Sequence, residues 1–484
     1  MSNSGDNPHI LVFPYPAQGH MLPLLDLTRH FLLRGLAVTV VVTPKNLPLL
    51  RPLLSAHPSL QTLVLPFPPH PSLPAGTENV RDVGNHGNIP IMAALGRLHS
   101  PISDWVNSHP SPPLAIVSDF FLGWTVHLAA DLGIPRIAFY SSGAFLSSVS
   151  NYLWLNINAV RSSTAVEFSE LPRSPSFAEE HLPSVFRNYR ESDPDWELIK
   201  NGMIANCSSW GCVFNTFDAL EGEYLEHLKK TLKNGRIYGI GPLSLMGGAE
   251  PIDRTNPDSE LGAHVLPWLD GQPDGSVLYV CFGSQKLLKR TQLEALASGL
   301  ERSGTRFVWV VKSGMPEPEA GRSSGAVPDG FEERVAERGM VIRGWAPQKS
   351  ILSHRAVSGF LSHCGWNSML EGIGAGVLIL GWPMEADQFV NARLLVEDMG
   401  AAVQVCEGED AVPDSAELAR TIAESMSEDV PQRKRAEELR AKAFGAVEEG
   451  GSSFRDLHAL VKELAQLHQV TEVHRRERTK VLPF

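Results

Sequence analysis

Short apolar runs recur along this chain, and most are followed by stretches in which apolar residues return every three or four positions. Residues 9–13 form the first run, 21–33 carry helical spacing that stops at Gly35, and 37–43 are β-branched and apolar. That order predicts strand, helix, strand. Residues 114–118, 123–132 with Gly133 as the stop, and 134–140 repeat it, so the first half reads as a parallel sheet covered by helices. Proline-rich 66–74 between the two units reads as loop.

After 206–217 and a helical stretch at 218–232, a segment rich in Gly, Pro and Asp at 246–259 marks the expected linker. The pattern then restarts. Residues 276–282 and 306–312 read as strands around a helix at 291–302, a flexible loop follows at 313–326, and 340–344, 357–361, 377–380 and 401–405 supply further strands. The second half is therefore expected to be another doubly wound α/β domain with its ligand crevice at the carboxyl ends of the strands. The expected division is 1–245, a linker at 246–262, 263–465 and a helical tail at 466–484.

Composition narrows the classes. A chain of 484 residues, 43% hydrophobic and 20% charged, can bury two full cores. A net charge of −12 argues against nucleic acid as a partner, and the basic run 474–480 reads as a solvated helix end. Residues 1–8 lack a basic flank and an apolar core, and no run approaches the roughly 18 apolar residues of a membrane span, so a soluble, cytoplasmic protein is expected. Five scattered cysteines fit a reducing compartment, and the sequon Asn206-Cys207-Ser208 is expected to go unused.

The chemistry concentrates in one stretch. Gly365, Trp366, Asn367 and Ser368 follow an apolar run and open a predicted helix, whose backbone N–H groups and positive end suit a diphosphate. His363, Asn367 and Ser368 add donors, Glu371 lies one turn on where it can accept from ribose hydroxyls, and Trp345 offers a flat face to a base. Asp387 and Gln388 can bond sugar hydroxyls. Separately, His20 follows the first strand and Asp119 ends a later strand of the same sheet, an arrangement that suits a general base and its orienter. A structural histidine and a helix-capping aspartate are the alternative for that pair on spacing alone.

The 44-residue run from Trp345 to Gln388, with Trp345-Ala346-Pro347-Gln348, His363-Cys364-Gly365-Trp366-Asn367-Ser368, Glu371 and Asp387-Gln388, resembles the signature box of the plant family 1 UDP-dependent glycosyltransferases. The stretch from Phe13 to His20, Ser118-Asp119-Phe120-Phe121 with Trp124, Asn215-Thr216-Phe217 and Trp268-Leu269-Asp270 are similar to that family's landmarks, in family order. Leu378 and Ser358-Gly359 depart from the box at positions not expected to touch donor.

The resemblance implies the GT-B architecture, two facing Rossmann-like domains with parallel sheets, and a C-terminal helix crossing back to the first domain. It implies a donor site of Ser284, Trp345, Ala346, Gln348, His363, Trp366, Asn367, Ser368, Glu371, Trp382, Asp387 and Gln388, although Trp366 and Trp382 suit packing equally well. His20 would deprotonate an acceptor hydroxyl, Asp119 would orient it, and displacement of UDP would invert the anomeric carbon. Gln388 points to UDP-glucose as co-substrate, with no cofactor and no metal. Similarity to a flavonoid and benzoate branch suggests a plant phenolic acceptor, a flavonoid 7-hydroxyl first, contacted by Gly19, Phe120, Phe121, Phe145, Trp154 and Glu385. A monomer is expected.

The alternatives are UDP-rhamnose, UDP-xylose or UDP-galactose as donor, a hydroxybenzoate acceptor, or a non-catalytic UDP-sugar-binding module. Asp193-Pro194-Asp195 spells a metal-binding DxD but is expected to be loop, and no GxxxxGK[ST] or GxGxxG follows the first strand.

Overall fold

The computed structural model describes residues 7–247, 264–283, 286–312, 327–427 and 429–480. The segments 248–263 and 313–326, which hold most of the expected linker and the expected flexible loop, lie outside the described residues, as does Ser284. Among the described residues, two parallel sheets carry the fold. In the N-terminal half the strands are β1 (His9–Phe13), β2 (Ala37–Val42), β3 (Gln61–Val64), β4 (Ala115–Asp119) and β5 (Arg136–Tyr140). A small antiparallel ribbon, β6 (Ala165–Glu167) with β7 (Ser176–Ala178), precedes β8 (Gly211–Phe214) and β9 (Ile237–Gly239). The seven-stranded sheet runs β3-β2-β1-β4-β5-β8-β9. The C-terminal half contains β10 (Val277–Cys281), β11 (Arg306–Val311), β12 (Gly339–Arg343), β13 (Val357–Ser362), β14 (Leu378–Gly381) and β15 (Ala402–Gln404) in the order β12-β11-β10-β13-β14-β15.

Strands such as β1, β4, β5 and β10 are buried along their whole length, which is why they read as continuous apolar runs and not as alternation. Chain order reverses between β1 and β4 in the first sheet and between β10 and β13 in the second. At such points the connections leave in opposite directions and a crevice opens at the carboxyl ends. Register fixes what lines each crevice. Phe13 pairs with Ser118, so the turn before His20 and the end of β4 at Asp119 are neighbours. Cys281 pairs with Ser362, which sets Gly283 beside His363.

The helix Ser452–Lys480 docks on the N-terminal sheet. Leu457, Leu460 and Leu464 enter the same core as β1 and β2, Glu463 pairs with Arg236 at 2.8 Å and accepts from the Tyr238 hydroxyl at 2.7 Å, and Asp456 accepts from the Gly239 N–H at 2.8 Å. These contacts begin upstream of residue 466. No described helix is long and apolar enough to cross a membrane.

Two local expectations need correction. Residues 193–195 are not loop: the Asp193 carboxylate accepts from the N–H groups of Asp195 and Trp196 and caps the helix Pro194–Ala205, the ordinary use of aspartate before proline at a helix start. Strands β3 and β9 went unread, since each is three or four residues long and borders turn-forming sequence. Asn206 of the sequon is 1% exposed, its side chain bonding Arg136 and the Phe120 carbonyl.

Candidate active site

Where the two crevices face each other they form a cavity of ≈ 740 Å³, within the range of small-molecule ligand pockets. His20 sits in the first turn of the helix Gln18–Leu33, directly after the turn that leaves β1. Its Nδ1 lies 3.0 Å from Asp119 Oδ2 and 3.1 Å from Ser141 Oγ. An ionised carboxylate only accepts, so Nδ1 carries the proton and the Nε2 lone pair is left for the cavity. Phe120 stacks on the imidazole at 5.6 Å, and Phe121 lies 4.6 Å away, so the ring can tilt little.

Asp119 is held from behind. It is fully buried, its Oδ1 accepts from the Phe121 N–H at 2.9 Å, and its backbone carbonyl accepts from Arg136 at 3.2 Å. Arg136 also donates to Ser118, Asn206 and Ser209, and burial brings its guanidinium down to about 10. The pair therefore rests on a polar network that fixes the end of β4.

The opposite wall is the start of the helix Trp366–Ala375. Gly365 is its N-cap and no side chain caps it, so its first N–H groups remain open toward the cavity. His363 is wedged between two glycines: a Cβ on Gly283 or Gly365 would stand 2.6 Å from its Nε2. Burial, and secondarily the Lys286 charge, lowers its pKa to about 4, so the ring is neutral, and its Nδ1 has no partner. Gln348 donates to Glu371 Oε2 at 2.8 Å and to Ser368 Oγ at 3.2 Å, locking the three together beneath Trp345 and Ala346.

Asp387 accepts from Asn391 at 2.8 Å, and burial raises its pKa. The Gln388 carbonyl accepts from the N–H groups of Met384 and Glu385, which turns its amide NH₂ to the cavity. Cys364 and Ala386 hold φ of 64° and 57°, a conformation that side chains seldom adopt, at the two loops that present these groups.

The walls are stitched together. Trp366 Nε1 donates to the Asn215 carbonyl at 2.9 Å, Asn367 to the Gly19 carbonyl at 2.6 Å, and Asn85 to Glu385 Oε1 at 2.8 Å. Gly19, His20, Phe120, Phe121, Trp154, Trp345, Ala346, Gln348, His363, Trp366, Asn367, Ser368, Glu371, Glu385, Asp387 and Gln388 all border this one cavity.

Two expected contacts do not. Phe145 is 1% exposed and stacks on Tyr224 at 4.3 Å, because the next residue, Leu146, takes the cavity-facing position on the helix Ala144–Leu155 and a one-residue step turns the side chain by about 100°. Trp382 is fully buried edge-on to Phe282 at 5.3 Å in the C-terminal core, so it is a packing residue.

Sequence reading missed Lys286, Asn85, Ser141 and Ser142, which also border the cavity. Their polarity is ordinary, and only the strand register brings them to one place.

The chain matches the model described as "UDP-glucoronosyl and UDP-glucosyl transferase" over residues 253–429, and "Glycosyltransferase, N-terminal domain" over 7–245. It is 54% identical to UDP-glycosyltransferase 89A2 and 48% identical to flavonol 3-O-glucosyltransferase UGT89B1, both of Arabidopsis thaliana, each over 96% of this chain and 98% of the relative. Flavonol 7-O-rhamnosyltransferase of the same plant is 42% identical over 94% and 98%. The solved structure of Arabidopsis thaliana UGT89C1 complexed with UDP-L-rhamnose superposes with a TM-score of 0.78 at 40% identity, covering 95% of this chain and 99% of that one. The same protein complexed with quercetin gives 0.77 at 39% identity, over 95% and 100%.

Proposed function

The chain belongs to the plant UDP-glycosyltransferases, and from that premise we propose that it is an inverting O-glucosyltransferase that moves glucose from UDP-glucose to a flavonol hydroxyl. The observation that carries this reading is the His20 ring: Nδ1 faces Asp119, and the open Nε2 faces the same cavity that the helix start at Gly365 borders. In this reading His20 is the general base. An acceptor hydroxyl gives its proton to Nε2 as its oxygen attacks the anomeric carbon, and Asp119 steadies the imidazolium. The leaving diphosphate is met by the uncapped N–H groups of Trp366, Asn367 and Ser368, with His363 beside them, which supplies the electrostatic half of the barrier lowering.

Glu371 takes the ribose hydroxyls and Trp345 stacks on the base. The Asp387 carboxyl and the Gln388 amide NH₂ are left for sugar hydroxyls, an acceptor and a donor side by side. The names of two relatives, one a flavonol glucosyltransferase and one a flavonol rhamnosyltransferase, support a flavonol acceptor. The higher identity to the glucosyltransferase, together with Gln388, favours glucose, and the 7-hydroxyl is the first position to test.

The second reading, rhamnose as donor, has the UGT89C1 complex in its favour. UDP release by the purified protein with UDP-glucose and with UDP-rhamnose, on quercetin, separates them, with the product's attachment point read by NMR. Faster turnover with UDP-rhamnose would overturn the glucose assignment, and turnover with neither would overturn the transferase reading for this acceptor class.

A further inference from the structure

One helix of the C-terminal half is gripped from the N-terminal half. The helix Gln388–Arg393 starts in the cavity with Asp387 and Gln388 and runs directly into a π turn, Leu394–Asp398, closed by the Met399 N–H on the Leu394 carbonyl at 2.9 Å. The ribbon β6–β7 and the turn after it lie against this helix. The His181 ring stacks on Phe389 at 4.3 Å, and the Arg393 guanidinium stands 5.9 Å over the Phe177 ring. Arg173 Nη1 donates to the Asp398 carbonyl at 2.8 Å and lies 3.6 Å from its carboxylate.

The π turn accounts for the reach to Asp398. Phe389 and Arg393 are four apart and share a face of an α-helix, whereas Asp398, five beyond Arg393, would stand about 140° round from it at roughly 100° per residue. Hydrogen bonding from i to i+5 widens the turn and returns Asp398 toward the gripped face. The backbone at Arg173 is strained to the same end. Arg173 is the third residue of the turn Leu171-Pro172-Arg173-Ser174, closed by the Ser174 N–H on the Leu171 carbonyl at 3.0 Å, and its φ of 62° is one that glycine or asparagine ordinarily takes there. Glu223 holds the other edge of the guanidinium at 2.6 Å. A turn that glycine would form more easily carries a long cation instead, and what the cation reaches explains the strain.

We propose that Arg173, Phe177 and His181 form a clamp that positions the helix Gln388–Arg393, so that Asp387 and Gln388 stand at a fixed depth in the cavity and grip the donor sugar. The proposal rests on the reading of Asp387 and Gln388 as sugar contacts. The clamp residues do not border the cavity themselves, so they are positioning residues that act through the helix. In that reading the nucleotide is held by other elements, Trp345, Glu371 and the start of the helix Trp366–Ala375. Loosening the clamp therefore weakens the grip on the sugar and leaves the grip on UDP.

Calorimetric Kd values for UDP and for UDP-glucose test it in the full-length protein, on wild type, Arg173→Gly, His181→Ala and Gln388→Ala. Arg173→Gly and His181→Ala are each expected to raise the Kd of UDP-glucose about fivefold, the size of one hydrogen bond, while the Kd of UDP stays within about 1.5-fold. Arg173→Gly keeps its melting temperature within about 3 °C of wild type, because relief of the turn offsets a partly exposed ion pair, so its loss of sugar affinity is not loss of fold. Arg173→Gly combined with Gln388→Ala weakens UDP-glucose by less than the product of the single effects, since the clamp acts through that amide. If Gln388→Ala weakens UDP-glucose and neither clamp variant does, or if the clamp variants weaken UDP and UDP-glucose equally, the clamp is overturned and the sugar contact stands. If Gln388→Ala leaves the ratio of the two Kd values unchanged, the reading of Gln388 as a sugar contact falls and the clamp falls with it.

Discussion

The two walls of the cavity are built in different ways. On the donor wall, polar side chains are tied down by partners from the same short stretch of chain: Gln388 by the N–H groups of Met384 and Glu385, Asp387 by Asn391, and, 23 positions apart, Glu371 by Gln348. On the acceptor wall the shape comes from aromatic rings stacked across distant segments, His20 on Phe120, Phe120 on Tyr140, and Tyr140 on Phe214. In the proposed reading the donor wall meets a fixed, charged, hydrogen-bonding group, and its residues come from one short stretch of chain. In the same reading the acceptor wall meets a flat apolar body, which many combinations of side chains can accommodate.

The sharpest way to separate the walls is at His20. His20→Ala is expected to lower kcat by about 10³-fold, within the range of general-base contributions, while UDP affinity measured calorimetrically stays within about twofold. Asp119→Asn is expected to cost about 10²-fold with the same unchanged affinity, since the amide can hold the wrong tautomer. Loss of UDP binding in His20→Ala would mean that the walls are not separable.

A smaller effect is expected from pH. His363 on the donor wall has its folded pKa near 4, below its ordinary 6.5. A base whose folded pKa is depressed contributes full stability above pH 6.5 and loses it as pH falls toward 4, because the unfolded state takes up the proton first. His30, a buried histidine in the N-terminal core, is likewise held near 4 by burial and by Arg34 and Arg29. Urea unfolding between pH 7 and 4.5 should show wild type losing more stability than His363→Asn by roughly 2 kcal/mol. Only the His363 substitution should also alter the pH dependence of UDP affinity, since among these two only His363 borders the cavity. An unchanged pH dependence of UDP affinity in His363→Asn would remove His363 from the donor wall's electrostatics.

The smallest expected effect tests the stitching. Trp366→Phe keeps the ring's bulk but removes the Nε1 bond to the Asn215 carbonyl, which joins the two halves. A cost of about 1 kcal/mol in unfolding free energy is expected, together with a rise in KM for both substrates. A rise in donor KM alone would show that Trp366 serves the donor wall and does not couple it to the other.

Much of this molecule could be read in order along the chain. The apolar runs became β1, β2, β4, β5, β10, β11, β13 and β14 because parallel strands buried on both faces leave a continuous apolar signal, and the partly exposed edge strands β12 and β15 were read from shorter apolar runs. The box from Trp345 to Gln388 was legible because its geometry is local, a strand, a turn and a helix start. His20 and Asp119 are 99 positions apart, and the register of β1 with β4 is what brings them to 3.0 Å.

Helical phase decided other residues. A one-residue step put Leu146 in the cavity and Phe145 in the core, and the end of β14 turned Trp382 away from the crevice. The sequence by itself determined most strands of the two sheets and the box at 345–388, because each is written in contiguous patterning or a contiguous motif. Tertiary structure alone decided which aromatic rings border the cavity beside His20 and which, like Phe145 and Trp382, turn into the core. Those outcomes depend on packing among segments far apart in the chain, and side-chain packing leaves no periodic trace in sequence.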